Sequence, residues 1–194
     1  MRKISHMQGR EAFLERFLSE MRFRQAIKYI KYGQVVADLG CGFHGNFLRR
    51  VEGKIKLGIG YDVSVSNSSL PKNITLKKID LNKNIVIKKN YFDLVIALAV
   101  LEHIDNPEHF LKQIKLMLKK GGKVIITTPH KKGKNILEFI SFKLGLVSRQ
   151  EIMDHKNYFD ETSLKNVFKK AGLIKIKIDT FELGLNLITS AKKN

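Results

Sequence analysis

The stretch 34-QVVADLGCGFHGNFLRRVEGKIKLGIGYD-62 decides the fold. Residues 34–39 (QVVADL) form a short apolar run, the pattern of a buried strand. A glycine-rich turn follows, then a helical segment around 45–52 (GNFLRRVE) closed by Gly53. Residues 56–61 (KLGIGY) read as a second strand. Strand, glycine turn, helix and strand make the repeating unit of an α/β domain.

Working outward, the alternation continues. Residues 74–79 (ITLKKI) read as a third strand, and 92–98 (FDLVIAL) as a fourth, apolar enough to be buried on both faces. The next helix has marked ends. Asn106 is a good N-cap, Pro107 suits the first helical position, and Glu108 complements the helix dipole. Its stripe is Phe110, Leu111, Ile114, Met117 and Leu118, and Gly121-Gly122 stops it. Residues 123–128 (KVIITT) make a fifth strand ending at Pro129. Asp160 caps a helix over 161–171 with Leu164, Val167, Phe168 and Ala171 inward. Strands over 174–181 and 185–191, joined at Leu183-Gly184, should pair antiparallel. On the amino-terminal side, residues 10–31 read as a helix with Phe13, Leu14, Phe17, Leu18 and Met21 on one face. The pattern predicts a mostly parallel sheet with helices on both faces, which binds ligands beyond the carboxyl ends of its strands.

At 194 residues the chain reads as one domain, with residues 1–31 a helical preface and 130–157 an insert after the fifth strand. The single cysteine, Cys41, excludes an intrachain disulfide and fits a reducing cytoplasm. The amino terminus lacks the apolar core of a secretory signal, and no apolar run reaches the ~20 residues of a membrane span. Contact with a membrane surface stays open. The chain carries 36 basic against 18 acidic residues, a formal charge of +18, which attracts anions including nucleic acid. The basic residues are spread along the whole chain, so general surface charge is the plainer reading.

Gly40, Gly42 and Gly45 lie between the first strand and its helix, where glycines let a ligand approach the backbone and the helix offers free N–H groups. Asp62, ending the second strand, can accept hydrogen bonds from both ribose hydroxyls of an adenosine. These features suit NAD and S-adenosylmethionine (SAM) alike. Asp38 separates them, because a carboxylate there repels a pyrophosphate but not an ammonium or a sulfonium. Asp80 in 79-IDLN-82 can accept from an adenine amino group while Ile79 and Leu81 pack on the ring. The chain is also short for a dinucleotide domain plus a catalytic one.

VVADLGCGFHG, IGYD, IDLN, FDLVIALAVLEHI and GGKVIITTP, in this order, resemble the motifs of class I SAM-dependent methyltransferases, particularly the small bacterial methyltransferase-11-like group. The resemblance covers about residues 30–190. It implies a Rossmann-like, seven-stranded sheet with an antiparallel last strand, with SAM as cofactor and S-adenosylhomocysteine as product. It places Asp38, Gly40, Cys41 and Gly42 around the methionine part, Asp62 and Val63 at the ribose, Asp80 and Leu81 at the adenine, and Ala97 and Leu98 on the methionine side. The third glycine is displaced by one against the family pattern, and the link 63-VSVSNSSLPKN-73 is short and polar, so the helix usual there is either absent or a single turn.

Methyl transfer from a sulfonium needs alignment more than covalent help. His103 in 100-VLEHID-105 and His155 in 154-DHKNYFD-160 are the candidates for a base or acceptor contact; loop-fixing and packing roles compete with both. No histidine and carboxylate share metal-ligand spacing on one helix, so no metal is expected. The 130–157 insert, with 136-ILEFISFKLGLV-147 at its centre, suits a lid or acceptor-binding segment. The expected activity is methylation of a small or medium acceptor, such as a sugar or lipid-linked intermediate. An RNA methyltransferase, a non-catalytic SAM-binding protein and an NAD-dependent oxidoreductase are the competing readings.

Overall fold

A computed structural model describes residues 9–83, 85, 88–133 and 156–194, with side chains from residue 16 onward. In chain order the described elements are α1 (Gly9–Ile27), β1 (Gln34–Leu39), α2 (Asn46–Val51), β2 (Ile55–Asp62), β3 (Ile74–Lys78), β4 (Phe92–Leu98), a 3-10 turn (Leu101–His103), α3 (Pro107–Met117), β5 (Leu118–Pro129), a second 3-10 turn (Lys131–Gly133), α4 (Glu161–Lys170), β6 (Ile174–Phe181) and β7 (Asn186–Lys192). The strands form one seven-stranded sheet in the order β3-β2-β1-β4-β5-β7-β6. β7 runs antiparallel to both of its neighbours, and the other pairings are parallel. The Rossmann-like α/β architecture expected from the motifs is therefore the one observed.

Alternate residues of the central strands feed two apolar layers, as the two-residue period of a strand requires. Val36, Leu94, Ile96 and Ile125 face α1 and α2, where Ala26, Phe47, Leu48 and Val51 meet them. Phe23 and Phe47 meet edge to face, 5.4 Å between ring centroids. Ala37, Leu39, Val95, Val124 and Ile126 face α3 and α4 through Phe110, Ile114, Leu164 and Phe168.

Both expected caps form. The Asn106 side chain accepts from the His109 N–H, and Asp160 forms a reciprocal capping box with Ser163. No helix stands between Asp62 and Ile74, matching the short link there. Two helix ends and one buried face differ from the sequence reading. α1 ends at Ile27 rather than 31. α3 ends at Met117 because Leu118 is extended and pairs with Phe92, so residues 118–122 join β5 across an irregularity in the ladder. Phe17 is 52% exposed, so the apolar face read for the first helix is not wholly buried.

Candidate functional site

β1 and β4 are adjacent although β2 and β3 lie on the far side of β1, so the strand order reverses between them. A crevice opens at such a reversal. The glycine loop follows β1 at this place. The Gly40 and Cys41 N–H groups both donate to the Tyr61 carbonyl, at 2.7 and 3.2 Å, tying the loop to the end of β2. The Gly42 N–H donates to Asp62 Oδ2 at 2.9 Å, and the Ser64 N–H reaches Asp62 Oδ1 at 3.4 Å.

Gly40 and Gly42 both have positive φ, +77° and +71°, but for different surroundings. A Cβ on Gly40 would lie 2.3 Å from Val100 Cγ2, whereas one on Gly42 would meet nothing within 4 Å. The first glycine admits a packed side chain, and the second leaves open space beside the Asp62 carboxylate. Gly45 belongs to the core: a Cβ there would lie 2.7 Å from Leu76 Cδ2.

Asp38 is 2% exposed, and Asp62 is also buried. Burial, reinforced by the Asp62 charge, pushes the Asp38 carboxyl up to about 7. Burial and the same two carboxylates push the Cys41 thiol upward as well. A cation arriving here relieves the repulsion between the two acids. The donor set fits SAM on these observations: two clustered carboxylates for an ammonium and a ribose, and an open backbone at Gly42.

Asp80 is half-buried beyond β3, with Oδ1 accepting from the Asn82 N–H at 3.0 Å and Lys83 3.8 Å away. Leu81 is half-buried against the core, and Val63 is exposed. Ala97 is fully buried in the core, and Leu98 packs on the other layer. His103 is half-buried in the 3-10 turn after β4, where its carbonyl accepts from Asn82 Nδ2 at 3.4 Å. His155 and most of the 130–157 insert lie outside the described residues. The glycine loop, Asp38 and Asp62 are thus brought together. Asp80 and Leu81 stand one strand further out, and His103 stands beyond β4.

Glu102, in the same 3-10 turn as His103, is 1% exposed, and desolvation pushes its carboxyl up to about 7. Its Oε2 and the buried Thr128 hydroxyl lack hydrogen-bond partners. Its carbonyl accepts the Lys156 and Asn157 N–H groups at 2.8 and 3.1 Å, anchoring the chain that returns from the insert. His130 is likewise buried. Its Nδ1 accepts the Lys132 N–H at 2.9 Å, which assigns the proton to Nε2, 3.2 Å from Glu161 Oε2. The available signal for these residues was position, since both follow the carboxyl ends of central strands. Among the described residues no group of histidine, cysteine or acidic side chains is placed to hold a metal ion. Among them, too, no helix is long and apolar enough to cross a membrane.

A family profile described as a methyltransferase domain matches residues 7–178. A ubiquinone biosynthesis O-methyltransferase of Pelagibacter ubique is 26% identical over 182 residues, covering 85% of this chain and 71% of that protein. The mitochondrial enzyme of the same name from Rattus norvegicus is 29% identical over 132 residues, and there the match spans only 36% of the relative's length. A tRNA U34 carboxymethyltransferase of Campylobacter fetus is 32% identical over 105 residues, covering 49% of this chain and 36% of that protein. A putative methyltransferase of Haloferax volcanii, solved with the Trm112 activator, superposes with a TM-score of 0.74 at 16% identity, covering 97% of this chain and 99% of that one. A SAM-dependent methyltransferase of Archaeoglobus fulgidus gives a TM-score of 0.69 at 20% identity, covering 92% and 94%.

Proposed function

This chain belongs to the family of SAM-dependent methyltransferases, and on that premise we propose that it methylates a small or medium-sized acceptor carrying a hydroxyl or amine. The observation that carries this reading is the loop geometry. An open glycine backbone at Gly42 stands hydrogen-bonded to Asp62, with Asp38 buried behind it. SAM supplies a methyl group made electrophilic by its sulfonium. The protein holds that group in line with the acceptor, an alignment that contributes roughly 7–11 kcal/mol of the barrier.

Asp62 accepts from the ribose hydroxyls, Asp38 faces the ammonium of the methionine part, and Leu81 with Asp80 borders the adenine. On the acceptor side, His103 contacts the incoming nucleophile. The buried Glu102 carboxyl, beside the Thr128 hydroxyl, serves the same side. A carboxyl near 7 is poised to take a proton at neutral pH, where a general base works best. A small acceptor is supported by the extent of the matches. The ubiquinone enzyme aligns over 85% of this chain, the tRNA enzyme over 49%.

The test is a transfer assay with methyl-labelled SAM against fractionated cell extract. Label should enter the small-molecule fraction and fall sharply in Glu102→Gln and His103→Ala proteins that still bind SAM. Label confined to RNA would assign a different acceptor class, and SAM binding without turnover on any fraction would assign a non-catalytic role.

A further inference from the structure

A second polar surface lies at the other end of the sheet. Lys123 of β5 stands directly across from Lys192 of β7, and Lys177 of β6 stands across from Ser190 on the same side. Opposed side chains on neighbouring antiparallel strands are within interaction range, and like charges so placed repel. Lys31, in the link from α1 to β1, joins them. Desolvation first, then the charges of Lys192, Lys31 and Lys177, hold the Lys123 ammonium below the ordinary lysine range. No ion pair among the described residues uses any of these four lysines. One acid, Asp179, shares their face of β6 two residues beyond Lys177.

One ring stands beside these cations, and a second follows Lys31 in the chain. The Lys123 ammonium lies 6.0 Å from the centroid of the Tyr29 ring. Tyr32, three residues on, is 90% exposed, far more than a ring of that size normally is. The segment 28-KYIKY-32 therefore alternates cations with aromatic rings, a pattern hidden by the chain-wide spread of lysine. The surface lies at the amino ends of the parallel strands. The six residues of β1 separate it from the glycine loop by ~20 Å, so it does not serve the cofactor.

Facing lysines cost stability, and a bound anion removes that cost. We propose that Lys31, Lys123, Lys177 and Lys192 with Tyr32 form a docking surface for single-stranded RNA. The lysines contact successive phosphates, and an unpaired base stacks on Tyr32. A single strand is favoured because a base face is free to stack only where it is unpaired. The exposed ring here, Tyr32, offers a single stacking face, whereas a lipid surface calls for a continuous apolar stripe. The inference is separate from the methyl-transfer reading, since it involves neither the cofactor loop nor the acceptor side.

The test uses the full chain and a short fluorescent oligouridylate, with anisotropy followed across a salt series. The variants are Lys123→Gln/Lys192→Gln together and Tyr32→Ala alone, with SAM affinity measured on each. The wild type should bind at low salt. The double variant should lower the slope of log affinity against log salt by about 1.4, that is, two phosphate contacts at ~0.7 each. Tyr32→Ala should weaken binding about tenfold and leave the slope unchanged. SAM affinity should stay at the wild-type value in all of them. Absence of RNA binding at low salt, or variants that bind like the wild type, would overturn the proposal. So would duplex RNA bound equally well with no dependence on Tyr32, or tighter binding to phosphatidylglycerol vesicles than to RNA.

Discussion

Replacing Gly40 with alanine places a methyl group where Val100 already sits. The new Cβ would lie 2.3 Å from Val100 Cγ2, well inside contact distance, and the backbone there has φ +77°. Two costs combine. Holding an alanine in the left-handed region costs about 1–2 kcal/mol. Forcing a side chain into a filled site costs about 1–3 kcal/mol more. Gly40→Ala should therefore lose about 2–5 kcal/mol of stability. Gly42→Ala has nearly the same backbone, φ +71°, but its Cβ meets nothing within 4 Å, so only the first cost applies. That methyl instead occupies the open space beside Asp62, and it should weaken SAM binding in a protein that still folds. Urea melts of both variants, of Val100→Ala and of Gly40→Ala/Val100→Ala give a double-mutant cycle. The steric part, about 1–3 kcal/mol, should appear as coupling between positions 40 and 100. Equal stabilities for the two glycine variants, or no coupling to Val100, would refute this account of the loop.

Asp62→Ala should weaken SAM binding more than tenfold by calorimetry with the fold intact. It removes charge-assisted hydrogen bonds worth about 1.5–3 kcal/mol, and unchanged affinity would place the ribose elsewhere. Asp38 sets a pH dependence. Its folded value of about 7 lies above the ordinary carboxylate value of 3.8, so its contribution to stability is full below about pH 4 and drains as pH rises to about 7. Melting temperature without ligand should fall over that window, and Asp38→Asn should reduce the fall, with buried Glu102 supplying the remainder. SAM affinity should rise as Asp38 ionises and level off above its folded value, whereas a pH-independent affinity would remove Asp38 from the ammonium site. Asp160→Ala breaks the capping box of α4 and should cost about 1 kcal/mol in a thermal melt, and a neutral result would show the cap to be redundant.

The parallel core was legible because its signals are local. FDLVIAL can only be a strand buried on both faces, and Asn106-Pro107 and Asp160 announce helix starts through backbone chemistry that needs no tertiary partner. The end of α3 was not legible. Met117-Leu118-Lys119 continues a helical pattern, and only pairing with Phe92 draws Leu118 into the sheet. The exposure of Phe17 is likewise a matter of which surface the helix meets, since periodicity defines a face without saying how far the core extends beneath it.

At the site, the glycines and Asp62 were found because each residue type has a specific backbone or hydrogen-bonding use. The division of labour between Gly40 and Gly42 was hidden, because it depends on Val100, sixty residues away in the chain. The burial of Glu102 was hidden for a similar reason. The residues VLEHID do not say which side chain turns inward, and burial against Thr128 becomes visible only in three dimensions.

The central claim is that Asp38, the Gly40–Gly42 backbone and Asp62 form a pocket for an adenosine bearing a sulfonium amino acid. Isothermal calorimetry with SAM, S-adenosylhomocysteine and NAD on one preparation tests it most directly. The account predicts saturable one-site binding of SAM and S-adenosylhomocysteine, weakened more than tenfold in Asp62→Ala, and no heat from NAD. Binding of NAD with none of SAM would contradict it.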